Sequence, residues 1–127
     1  MNQQEIDQIC RLEPDARYRY AIRRIADAEQ VCVLRDEDDQ FALSEADGRA
    51  VIKIWPAAEF ALALRKGEWE DNEAYSFNLN EMEDVLFPLI RDNDYLIDVF
   101  PVEGKPGVVV TLDQLVKDLN DELDKYK

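Results

Sequence analysis

A tryptophan–proline pair joins a strand-like run to a helix-like run, and this junction most limits what the chain can fold into. It lies in the stretch Ser44–Trp69, SEADGRAVIKIWPAAEFALALRKGEW. Asp47-Gly48 marks a tight turn, because glycine takes the positive φ that such turns demand. Val51, Ile52 and Ile54 then read as a strand. Pro56 has no N–H, so it cannot continue that strand from its interior but can open a helix. Ala57 to Lys66 is the predicted helix, with Phe60, Ala61 and Leu64 toward the core. Lys66 suits the C-terminal end of the helix dipole, and Gly67 stops the helix. The result is a strand–corner–helix unit flanked by Trp55 and Trp69.

The rest of the chain alternates between the two periods. Asn2 with Glu5 is a helix-start pair, and Ile6, Ile9 and Cys10 follow at helical spacing. Pro14 fits the first turn of a second helix, whose apolar face is Tyr18, Ala21, Ile22 and Ile25. Arg17, Arg19, Arg23 and Arg24 are assigned to its opposite face. Val31, Val33 and Leu34 read as a strand, Asp36 to Asp39 as a polar hairpin turn, and Phe41 and Leu43 as the return strand. With Val51–Ile54, these strands are expected to form an antiparallel meander. Tyr75 and Phe77 mark a fourth strand. Asn80 with Glu83 starts a helix through Met82, Val85, Leu86, Leu89 and Ile90, which Pro88 should kink or break near its end. Tyr95–Phe100 and Val108–Val110 are the last strands, the second expected near the sheet centre because it is continuously apolar. Thr111 with Gln114 caps a C-terminal amphipathic helix whose outer face is acidic.

This order predicts one α/β (α+β) domain over residues 1–127, with a mixed, mostly antiparallel sheet of about six strands and helices packed against it. N-terminal helices occupy 3–28, the sheet and its helices 30–110, and the final helix 112–125. At 127 residues the chain can bury one core without disulfides or metal.

Twenty-nine acidic residues against fifteen basic ones leave a net charge of −14. Such a surface repels nucleic-acid backbones and anionic membranes and attracts basic proteins. There is no histidine, which removes the commonest general base and zinc ligand. Cys10 and Cys32 stand in no metal or redox spacing and read as reduced core thiols. The N-terminus is polar and no window reaches the length of a membrane span, so the cytoplasm is the expected location.

No stretch carries a recognisable catalytic pattern. The Asp36–Asp39 run lacks the central glycine and distal glutamate of a calcium loop and reads as a solvated turn. Ser44, Cys10 and Cys32 have no histidine to activate them, and there is no glycine-rich phosphate loop. No cofactor or metal is therefore expected. Asp98 stands out inside the apolar run YLIDVF. The arginine cluster offers an anion site or internal pairing with acids. Trp55, Pro56, Phe60, Trp69 and Asp98 form the candidate interaction or ligand patch, with core packing as the competing role for both indoles.

Several of these residues carry a family likeness. They are Arg19-Tyr20, Arg24-Ile25-Ala26-Asp27, Val33-Leu34, Phe41-Ala42-Leu43, Asp47-Gly48, Ile54-Trp55-Pro56-Ala57-Ala58-Glu59-Phe60-Ala61, Gly67-Glu68-Trp69, Val99-Phe100-Pro101 and Gly107-Val108-Val109-Val110. In these the chain resembles domain-of-unknown-function family 2750, a set of small bacterial proteins, from about Tyr18 to Leu119. Ala57 and Ala58 stand where the family tends to have histidine or proline, and Phe60 where tyrosine is common, which removes polar groups from this corner. The resemblance implies a shared fold and brings no catalytic residues. The order of elements also looks like the N-terminal domain of SseB-type secretion-associated proteins, an architectural analogy alone.

Two functional expectations follow. The first is a non-enzymatic protein-interaction or adaptor domain, including an immunity or inhibitor role against a basic partner. The second is a small-molecule binder or enzyme with a pocket beside Trp55 and Trp69.

Overall fold

The computed structural model describes residues 2–63 and 69–125. Its helices start where the sequence supplies an acceptor or a proline. In α1 (Gln3–Cys10) the Asn2 side chain accepts from the Glu5 amide. Helix α2 (Pro14–Ala28) opens on its proline. Strands β1 (Gln30–Arg35), β2 (Leu43–Ala46) and β3 (Arg49–Ile54) follow, then α3 (Ala58–Ala63). The roles given to Leu64, Lys66 and Gly67 lie outside the described residues. Strand β4 (Glu73–Asn78) leads into α4 (Leu79–Glu81), a π-turn (Met82–Leu86) and α5 (Phe87–Asp92). Strands β5 (Leu96–Val99) and β6 (Val108–Val110) precede α6 (Leu112–Asp124), where the Thr111 side chain accepts from the Gln114 amide.

The architecture is α+β, with six strands among the described residues. Strands β1 and β4 form an antiparallel ribbon, and the second sheet has the order β2-β3-β5-β6. Among these described strands only the β3–β5 pair is parallel. The two sheets join where Cys32 and Trp55 exchange backbone hydrogen bonds, both 2.9 Å long. One core runs through both sheets, including Val33, Ile52, Ile54, Trp55, Ile97, Val99 and Phe100.

Three expectations change, and a fourth takes a specific form. The meander holds only for β2 and β3. Strand β1 pairs along its whole length with β4, and it meets the approach to β2 only at Arg35–Phe41 and Leu34–Ala42. The segment after the acidic turn stays beside β1 for two residues before leaving to pair with β3, whereas β4 offers a six-residue ladder. Strand β6 lies at the sheet edge, and Val109 is 43% exposed. Three apolar residues in a row are too short a pattern to require cover on both faces. The helix cap is Asn78 with Glu81, two residues earlier than Asn80 with Glu83, because β4 runs directly into the helix. The break expected near Pro88 is present, as a change of helical register rather than an end. The chain widens into the π-turn just before this proline, and α5 continues from Phe87. Such a turn re-registers the helical bonds that Pro88, with no N–H, cannot complete.

Candidate functional site

The strand–helix junction buries its aromatic residues. Trp55 is fully inaccessible, and its indole N–H donates to the Pro101 carbonyl at 3.0 Å. Pro56 is buried beside it. Phe60 packs on Phe100 with ring centres 4.7 Å apart, and Tyr20 meets Phe60 edge-on at 6.1 Å. Trp55, Pro56 and Phe60 therefore form a wall of the core.

That wall holds the connection between β5 and β6. At Phe100 the backbone adopts φ of 61°, a left-handed conformation that is uncommon for a bulky residue. Two remote side chains, Arg17 and Trp55, and the nearby Asp98 hold this connection. Arg17 is 1% exposed and donates to three carbonyls: Leu12 at 2.7 Å, Pro106 at 2.9 Å and Phe100 at 3.2 Å. Trp55 holds Pro101. Asp98 accepts from the Gly107 amide at 2.8 Å. A Cβ on Gly107 would lie 2.0 Å from the Val99 carbonyl oxygen, so only glycine fits this approach. The assignment of Arg17 to the outer face of α2 is thus corrected: it is a buried strut. Its spacing did carry the signal, since Arg17 precedes Ala21 and Ile25 by four and eight residues on one helical face.

Asp98 is 3% exposed and faces inward. It stands opposite Lys53 in the parallel register, and their side chains pair at 3.2 Å. The Lys53 ammonium also lies 5.5 Å from the centre of the Trp69 ring, and Trp69 is half-buried. Lys53 therefore links Asp98 to Trp69, while Trp55 and Phe60 belong to the wall beneath the corner. Of the five patch residues, Trp69 is the one that presents surface.

The opposite kind of surface lies at one end of the β1–β4 ribbon. The register sets Arg35 against Glu73, so the Asp36–Asp39 turn and the Glu70–Asn72 segment fall at the same end. Seven carboxylates gather there: Asp36, Glu37, Asp38, Asp39, Glu70, Asp71 and Glu73. Asp36 shapes the turn by accepting from the amides of Asp38 and Gln40, both at 2.9 Å. Arg35 pairs with Asp39 at 3.5 Å and lies over the Tyr75 ring at 3.6 Å. Glu37, Asp38, Glu70 and Asp71 are exposed.

Neither thiol is set up for nucleophilic chemistry. Burial pushes Cys32 above its ordinary value more than the Ser76 hydroxyl, 3.1 Å away, pulls it down. Burial raises Cys10 as well, with Asp7 adding to the effect. Among the described residues no group of acids and cysteines is arranged to hold a metal ion. No helix among them is long and apolar enough to cross a membrane.

The family model described as protein of unknown function (DUF2750) matches residues 18–119 of the 127. The chain belongs to the DUF2750 family. No curated protein matches it. The DUF2750 match starts inside α2 and ends inside α6, so it spans the Trp55 corner, the acidic ribbon end and both sheets. Several residues on which the resemblance rests, among them Trp55, Phe60 and Phe100, are fully buried. The DUF2750 pattern around Trp55 and Pro56 therefore coincides with core packing. Arg17 and Lys53 lie outside the residues that marked the family, and sequence reasoning missed both as partners of the corner.

Proposed function

We propose that this DUF2750 protein is a non-enzymatic interaction domain that takes a basic protein partner at the acidic end of the β1–β4 ribbon. The convergence, among the described residues, of seven carboxylates beside Arg35 carries the reading. The net charge of −14 adds a long-range field that draws a cationic partner toward the molecule. Binding held by such exposed charges weakens as salt shortens the screening length from about 10 Å at about 0.1 M to about 3 Å at about 1 M. An inhibitory or immunity role toward that partner is one form this function takes.

The test uses four exposed acids that shape neither the turn nor the Arg35 contacts. The variant Glu37→Gln, Asp38→Asn, Glu70→Gln, Asp71→Asn leaves Asp36, Asp39 and Glu73 in place. Affinity capture at low salt should recover a basic protein with the wild type and lose it with the variant. Capture by both forms alike, or by neither, contradicts the proposal.

A further inference from the structure

The groove between α2 and α6 holds the second feature that the sequence singled out. It encloses about 600 Å³, within the range of small-molecule sites. Leu12 and Ile22 give it an apolar lining, and Arg19 and Arg23 stand on the same wall, one helical turn apart.

The charges in the groove are not equivalent. Each carboxylate already has a partner on the protein. Asp118 accepts from the Tyr18 hydroxyl and from Gln114, Asp121 pairs with Lys117 at 3.0 Å, and Glu122 pairs with Lys125 at 3.0 Å. The other two arginines of α2 are also engaged, Arg17 by carbonyls and Arg24 by the Tyr20 hydroxyl. Arg19 and Arg23 make no ion pair or side-chain hydrogen bond among the described residues. In a protein with nearly two acids per base, these two guanidiniums stand unpaired among the described residues, beside an apolar lining.

We infer that the α2–α6 groove binds a soluble organic anion, a carboxylate or phosphate monoester on a compact apolar body. Arg19 and Arg23 take the anionic group, because the planar guanidinium donates two parallel hydrogen bonds to carboxylate or phosphate oxygens. The apolar body lies along Leu12 and Ile22. The occupant is small because the net charge of the whole protein opposes an acidic macromolecule or an anionic bilayer, whose many charges meet the field beyond the groove. Within one screening length the cations Arg19, Arg23 and Lys125 match the carboxylates Asp118, Asp121 and Glu122 in number, so a single anionic group held by the two arginines escapes most of the field of the whole protein. This site is independent of the ribbon end and stands whether or not a basic partner binds there.

The experiment is a titration of isotope-labelled full-length protein with octanoate, octyl phosphate and 1-octanol, followed by the arginine side-chain and α2 backbone resonances. Both anions should shift Arg19 and Arg23 and saturate, and 1-octanol should not. Arg19→Gln with Arg23→Gln should weaken anion binding at least tenfold while leaving the melting temperature near that of the wild type. Equal binding of 1-octanol, unchanged affinity in the double variant, or no saturable shift with either anion overturns the inference. Arginine-dependent sedimentation with phosphatidic-acid vesicles overturns the assignment to a soluble ligand.

Discussion

Two turns in this molecule are built in opposite ways. The Asp36–Gln40 turn is shaped by its own first residue, whose carboxylate accepts two amides within four positions. The Phe100–Gly107 corner is held by Arg17, which lies 83 and 89 positions from two of its acceptors, by Trp55, and by Asp98. The first turn is exposed, and the side chains of Glu37 and Asp38 neither shape it nor pair with Arg35. The second has its fixing groups inside the core, where loss of any one strands a polar group. The contrast separates surface that we propose meets a partner from structure that holds the sheet together.

Substitutions at the corner should have the largest effects. Gly107→Ala pushes a methyl group into the Val99 carbonyl and should cost about 4 kcal/mol in urea unfolding. A cost under about 1 kcal/mol would show that the approach relaxes freely. Arg17→Met keeps most of the volume but leaves the Phe100 and Pro106 carbonyls without their donor, and should cost about 3 kcal/mol. Asp36→Ala removes only a local acceptor from an exposed turn and should cost about 1 kcal/mol. The double variant Arg17→Met, Asp36→Ala should be additive within about 0.5 kcal/mol, and a larger coupling would deny that the two turns are independent.

The smallest effect should appear in alkali. Burial raises Cys10 and Cys32 above 9.0, and burial with the Asp118 hydrogen bond raises Tyr18 above 10.0. These groups stay protonated in the folded chain while the unfolded chain ionises. Their contribution is fully present below about pH 9 and is lost as pH rises through the raised values. The urea midpoint should fall from about pH 9 upward, and Tyr18→Phe should flatten the decline above about pH 10. An equal decline in that variant would remove Tyr18 from the account.

The same contrast explains what was legible in the sequence. Features closed within a few residues could be read: the Asp36–Asp39 turn, the Asp47-Gly48 turn, the Asn2 and Thr111 caps and the proline start of α2. Pairings decided by distant competition could not. Nothing local told β1 to choose β4 over the chain that follows its own turn. Arg17 looked like a surface arginine because its composition outweighed its helical spacing. Lys53 and Asp98 meet only through the parallel register of β3 and β5, which the sequence does not state. Trp55 was visible as a corner residue, but its burial depended on the Pro101 carbonyl, which comes 46 residues later.

The central claim is that partner binding belongs to the acidic ribbon end and not to the pinned corner. The most direct test is the salt dependence of the association constant for the captured partner. It is measured for the wild type and for the Glu37→Gln, Asp38→Asn, Glu70→Gln, Asp71→Asn variant under conditions where both are folded. A steep fall of affinity with salt for the wild type and a weak, nearly flat dependence for the variant is the predicted result. Equal affinities with parallel salt dependence would place the interface elsewhere on the molecule and contradict the claim.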